Sequence, residues 1–314
     1  MVNSELRVFH GTSHPELGDK IIKQLGIKGG EIKISRFSGG EIYARINENV
    51  RGASCVIIQT CTDQVNSDLM ELFIIIDSLK RASAKSISAV IPHFGYARQD
   101  RKAASREPIS ARLVANLLET AGADRIISMD LHSDQIQGFF NIPVDTLTAQ
   151  PLLANYLIKK NLKDAVVVAP DTGRAKVAKK LADRIGAKLA ILHKVRLEHH
   201  QSEVTHVVGD VKGKTVIITD DMIDTAGTIT SGVEALLQAG CSKDIYVFAT
   251  HGLFSGPAIE RMKKANFKEV VVTDSLPIPR EKQFPGLVVL STAELLAEAI
   301  KRNYENQSIS SLFD

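Results

Sequence analysis

The chain has 314 residues, 44% hydrophobic and 24% charged, which is ordinary for a globular protein and enough for two domains with sizeable cores. Lys and Arg exceed Asp and Glu only by 39 to 36 and form no dense block, which argues against nucleic acid as the main partner but leaves room for a local phosphate site. No apolar run approaches a membrane span, the start MVNSELRVFHG lacks a signal-peptide core, and Cys55, Cys61 and Cys241 have no zinc-like pairing with His, so the expectation is a cytoplasmic protein with buried, reduced thiols and no membrane partner.

Short β-branched runs alternate with longer segments of helical period, the pattern of parallel sheets with crossover helices. Strands are expected at 6–9, 55–59, 87–91, 125–129, 165–169, 189–192, 215–219, 245–249 and 269–273. Helices are expected at 68–82, 110–121, 173–185 and 228–239. Ser13, three residues before Glu16 with Pro15 between, reads as a capping box opening a first helix. A helix, an Ala-Gly pair, a strand and a histidine recur from Leu117 to His132 and from Leu236 to His251, which suggests two related α/β domains, although Ala-Gly is also a common helix end. The boundary is expected near 146–150, giving domains of 1–147 and 148–314, with the final helix free to pack back on the first.

The strongest chemical signal runs from Val216 to Thr228: an apolar strand, then Asp220 and Asp221, then the loop Asp224-Thr225-Ala226-Gly227-Thr228 opening a helix. Backbone N–H groups, hydroxyls and a helix dipole suit a phosphate, and paired carboxylates suit the vicinal hydroxyls of a sugar. Ligands bind at this end of the strands in open α/β sheets. A second strand-loop-helix, Val166 to Arg174, contains Asp171-Thr172-Gly173, which serves a diphosphate with a cation or is an ordinary turn.

Arg98, Arg101 and Lys102, with Tyr96 and Gln99, suit a polyanion carrying a flat base, or a solvated basic loop. His132, leaving a strand at Asp130-Leu131, is a metal ligand or a satisfied loop histidine. His193-Lys194-Val195-Arg196 puts two cations at the base of a polar stretch, 198–206, that lacks a period and reads as a mobile loop.

Together with Arg36-Phe37-Ser38-Gly39-Gly40-Glu41, Asn47 to Gly52, Asn66 to Leu72 and Gln135 to Phe140, these motifs resemble the ribose-phosphate pyrophosphokinases over essentially the whole chain. The resemblance implies an α/β fold of two phosphoribosyltransferase-like domains, each a mainly parallel sheet flanked by helices, with ATP and ribose 5-phosphate between them, and a homo-oligomer, a hexamer built from dimers. It implies that Phe37, Gly39, Gly40, Glu41, Arg98 and Gln99 bind ATP, and that His132 and Asp171 bind Mg²⁺. Arg196, Asp220, Asp221 and Asp224 to Thr228 would hold ribose 5-phosphate, and Lys194 and Arg196 would serve the transition state. Arg51, Gln137, Ser308 and Ser310 would form an effector site for phosphate and ADP. No general base is identified; Asp130 and Asp221 are the carboxylates to hand.

Five positions depart from the family pattern. Gly39 stands where an acidic residue is common, Val195 where arginine is, Arg174 where a second glycine is frequent and Asn141 where some relatives have aspartate. Ala226 stands where glycine is common, and its methyl is tolerated if φ is negative.

Overall fold

The computed structural model describes residues 5–195 and 204–312. They divide into two compact units: one of Met1–Thr148, Ser275–Pro277 and Ser291–Asp314, the other of Ala149–Asp274 and Ile278–Leu290. The α/β class expected from the alternation is the one found.

In the first unit β1 (Leu6–His10) leads to α1 (Pro15–Leu25), then to an antiparallel hairpin of β2 (Ile32–Arg36) and β3 (Ile42–Ile46) that the β-branched pattern had not signalled. β4 (Ser54–Ile58), α2 (Val65–Arg81), β5 (Ser86–Ile91), α3 (Ser110–Ala121), β6 (Arg125–Met129) and β7 (Val144–Leu147) follow. The parallel sheet has the order β1-β4-β5-β6-β7, without reversal. Alternate strand residues Phe9, Cys55, Ile57, Ile87, Ala89, Ile91 and Ile126 meet Leu72, Ile75, Ile76 and Leu79 of α2 and Ala111, Val114 and Leu118 of α3. Cys55 and Cys61 are buried here, and burial pushes both thiols up to about 12, whereas Cys241 is half-buried.

The capping box is not formed. α1 is capped at His14 without a side-chain bond, and the Ser13 hydroxyl donates instead to the Gln59 side chain at 2.8 Å. Gln59, buried at the end of β4, needs partners for its amide, and Ser13 is one of them.

The second unit runs α4 (Gln150–Lys160), β8 (Ala165–Ala169), α5 (Ala175–Ile185), β9 (Lys188–Val195), β10 (Val204–Val208), β11 (Thr215–Ile223), α6 (Gly227–Gln238), β12 (Ile245–Gly252), α7 (Ala258–Ala265), β13 (Glu269–Thr273) and β14 (Leu287–Leu290). The order is β10-β9-β8-β11-β12-β13-β14, with only β10 antiparallel. From β8 the chain steps outward to β9 and β10; from β11 it steps the other way. The reversal between β8 and β11 is the switch point at which open α/β sheets bind ligands.

One expectation is corrected here. The stretch read as a loop through His206 forms β10 from Val204, where β-branched residues pair with β9 and His206 lies opposite His193. The two echoed histidines are not equivalent: His132 follows β6 on a loop, whereas His251 is buried inside β12 and bridges to Asp274.

After β14 the chain returns to the first unit as α8 (Ala293–Tyr304), which packs on α1. Asp145 of β7 accepts bonds from Arg125 at 2.7 Å and from Asn303 of α8 at 2.9 Å.

Candidate active site

In the second unit β11 outruns its neighbour. It pairs with β8 only to Ile218 but with β12 as far as Ile223, so Asp220 and Asp221 lie on a strand segment past the end of β8 rather than in a loop. The loop after β8, with Asp171, and the loop after β11, from Asp224 to Thr228, thus flank the switch point.

The Asp224–Thr228 loop has its carbonyls tied from behind. The Asp224 oxygen accepts from Ser255 N–H at 3.0 Å, the Thr225 oxygen from the Arg261 guanidinium at 3.0 Å and the Ala226 oxygen from Thr230 N–H at 3.0 Å. Every peptide here is trans, so each bound carbonyl turns the following N–H the opposite way. The Ala226 and Gly227 amides are orphan donors of a helix start, and with the Thr225 amide and the dipole of α6 they make a concavity suited to an anion. Ala226 reaches this arrangement with φ 60°, in the left-handed region. The negative φ on which its tolerance was conditioned is not found, so the methyl carries backbone strain.

Asp220 and Asp221 face a cation that the sequence marked only as a departure. Arg174 places one guanidinium nitrogen 2.6 Å from Asp221 and its Nε 3.4 Å from Asp220. Burial, reinforced by the adjacent Asp221 carboxyl, pushes Asp220 well above the ordinary carboxylate range, and Arg174 acts against that rise. The exposed Asp171 accepts the Arg174 backbone N–H at 3.0 Å through one carboxylate oxygen.

Of the two cations expected to serve the transition state, Lys194 lies near the end of β9 with its backbone opposite Thr205, and Arg196 lies outside the described residues.

In the first unit the β2–β3 hairpin presents Phe37 at its tip, 58% exposed and edge-on to Tyr43 with ring centroids 5.8 Å apart. Gly40, at φ 89°, closes the turn by donating to the Phe37 carbonyl at 2.8 Å. Gly39 needs no such freedom, and a Cβ there would meet only open space. Glu41 is exposed, and its carbonyl accepts the Phe37 N–H at 2.9 Å.

Arg98 and Gln99 are exposed beyond β5, and Gln99 is fixed by Ser110 at 2.6 Å. Asp130, at φ 36°, turns the chain off β6 and leaves His132 half-buried. Asn141 is bonded through its N–H and side-chain amide to Glu119. Among the described residues no group of three or more His, Cys, Asp or Glu side chains converges as a metal cage.

Arg51 and Gln137 are exposed, and Ser310–Leu312 form a short 3-10 turn. The Ser308 hydroxyl donates to Ser310 Oγ at 3.1 Å and accepts its N–H at 3.2 Å, while Arg302 holds the Ser308 carbonyl at 3.2 Å.

Sequence reasoning missed Arg261, which no local pattern marks. It reaches the loop only because α7 packs beside α6.

Two family models match the chain: the N-terminal domain of ribose phosphate pyrophosphokinase over residues 6–122 and the phosphoribosyl synthetase-associated domain over residues 197–314. The chain is 51% identical to the ribose-phosphate pyrophosphokinase of Bacillus cereus, covering 100% of this chain and 98% of the relative. It is also 51% identical to that of Bacillus subtilis, covering 99% and 98%. A crystal structure of phosphoribosylpyrophosphate synthetase from Mycobacterium smegmatis, 50% identical, superposes with a TM-score of 0.92 over 96% of this chain and 100% of that one. Full-length identity at this level, carried by a matching two-unit fold, makes the chain a member of the ribose-phosphate pyrophosphokinase family.

Proposed function

We propose that the chain transfers the β,γ-diphosphoryl group of ATP to the 1-hydroxyl of ribose 5-phosphate, releasing AMP and 5-phosphoribosyl 1-diphosphate. The observation that carries the reading is the pairing, on one strand-loop-helix, of Asp220 and Asp221 with a loop whose carbonyls are tied back. One end of the sugar is then held by its 5-phosphate at Asp224–Thr228 and the other by its hydroxyls at the carboxylates, which makes attack by the 1-hydroxyl effectively intramolecular.

ATP is assigned to Phe37, Gly39, Gly40, Glu41, Arg98 and Gln99. The exposed Phe37 ring supports stacking on adenine, and Arg98 offers charge to the phosphates. Lys194 and Arg196 are assigned to the charge that builds on phosphoryl oxygens in the transition state.

Mg²⁺ is assigned to Asp171, an exposed carboxylate of a kind that serves a partly hydrated ion, and to His132. When bound with the nucleotide, Mg²⁺ neutralises phosphate charge and orients the transferred group.

A homo-oligomer, a hexamer, is proposed from the family resemblance, and the exposed Leu113 and Leu117, one turn apart on α3, offer apolar surface that a subunit contact would cover. Arg51, Gln137, Ser308 and Ser310 are assigned to an effector site for phosphate and ADP. Among the described residues no helix is long and apolar enough to cross a membrane, and the compartment proposed is the cytoplasm.

The test is AMP release from ATP and Mg²⁺ with and without ribose 5-phosphate. Sugar-dependent AMP with equimolar 5-phosphoribosyl 1-diphosphate is expected. Nucleotide binding without turnover would identify a non-catalytic subunit instead.

A further inference from the structure

Arg174 sits on the loop after β8, at φ −91°, immediately before α5. Its side chain crosses to β11 and meets both carboxylates, Asp221 at 2.6 Å and Asp220 at 3.4 Å. All three side chains are largely withdrawn from solvent, with exposures of 16% for Arg174, 17% for Asp220 and 5% for Asp221. Two neighbouring carboxylates in so little water repel each other and lose hydration, so the pair needs a cation. Guanidinium is suited to that place. It keeps its charge at any working pH, and its planar fork fixes the direction of each carboxylate it binds. A glycine here, as the family resemblance leads one to expect, would take this counter-cation from the pair.

We propose that Arg174 is a positioning residue for the sugar: a resident counter-cation that sets the Asp220 and Asp221 carboxylates for the vicinal hydroxyls and replaces, from within the chain, a divalent ion drawn from solution. The inference rests on the assignment of the carboxylate pair to ribose 5-phosphate. Affinity for the sugar is then insensitive to any divalent ion beyond that carried by the nucleotide.

The experiment is calorimetry of ribose 5-phosphate with the full-length protein saturated with α,β-methylene-ATP and equimolar Mg²⁺, repeated with Mg²⁺ in excess. The parent protein is expected to give the same Kd in both conditions, to within about twofold. Arg174→Gly is expected to bind about tenfold more weakly at equimolar Mg²⁺ and to recover with the excess, the loss being that of one charged hydrogen-bond partner. Arg174→Lys, which keeps the charge but not the fork, falls between them. Steady-state rates should show the same pattern in the KM for the sugar, with a much smaller change in kcat. Equal affinity of Arg174→Gly and the parent at both Mg²⁺ levels, or an equal loss at both, overturns the inference. Failure of the underlying site assignment looks different: the parent would then keep its sugar affinity when Asp224 is replaced by alanine.

Discussion

The Arg261 guanidinium donates to the Thr225 carbonyl at 3.0 Å, so a residue of α7 holds the Asp224–Thr228 loop from its far side. Releasing that carbonyl lets the Thr225–Ala226 peptide rotate and turns an N–H away from the anion. Arg261→Ala is expected to raise the KM for ribose 5-phosphate about fivefold, in line with about 1 kcal/mol for an exposed bond, and to leave the KM for ATP nearly unchanged. Initial rates with each substrate varied separately check this; an equal rise in both constants would place the role of Arg261 elsewhere.

Ala226 holds φ 60° with its methyl buried. Left-handed backbone costs an alanine about 1 kcal/mol that a glycine does not incur. Ala226→Gly is expected to raise the melting temperature of the ligand-free protein by about 2–4 °C, by that energy spread over a domain of this size. A lower melting temperature in scanning calorimetry contradicts the strain.

Asp220 titrates above the ordinary carboxylate value because burial and Asp221 oppose its charge. For an acid raised in this way, the contribution to stability is whole below the ordinary value and is lost as pH rises through the raised one. Asp220→Asn removes the group that must ionise. The variant is expected to be more stable than the parent near neutral pH, with the difference shrinking toward pH 4. It should at the same time bind the sugar more weakly. Denaturant melts across that pH range decide the matter, and a gap that widens in acid would reverse the sign.

Much of this site could be read from the sequence because its parts are contiguous. The run from Val216 to Thr228 carries strand, carboxylates, loop and helix start within one stretch, and each residue type states its chemistry locally. What escaped lies in pairs brought together by the fold. Arg174 and Asp221 are far apart in sequence, and so are Arg261 and Thr225; periodicity has no access to either contact. Main-chain angles were equally hidden, so the sign of φ at Ala226 had to come from the turn itself. The hairpin around Phe37 was read as a motif and not as strands, since Ile32 and Ile34 alternate with Lys33 and Ser35 and give no continuous apolar run.

Lys194 is held near the end of β9, with its backbone paired opposite Thr205. Lys194→Ala is expected to lower kcat by about 10²–10³ while changing either KM far less, as for loss of one preorganised donor to a transition state. Single-turnover AMP release is the measurement, and near-normal turnover rejects the assignment.

Ser308 and Ser310 bond to each other at the chain's end, with Arg302 beside them. An effector anion there would exchange those bonds for its own, which couples the sites only if it favours one arrangement of the active enzyme. The double variant Ser308→Ala, Ser310→Ala is expected to lose phosphate activation and the noncompetitive part of ADP inhibition. Rates over a grid of ADP, ATP and phosphate test it, and an unchanged noncompetitive component excludes the tail.

The return of α8 to the first unit sets a timetable for synthesis. While the ribosome makes the chain, α1 has no α8 to pack on, and Asp145 waits for Asn303 until the whole second unit has emerged. At about 5–20 residues per second, that interval is on the order of ten seconds. The first unit is therefore completed after the second, and the face of α1 that α8 covers stays open for that interval.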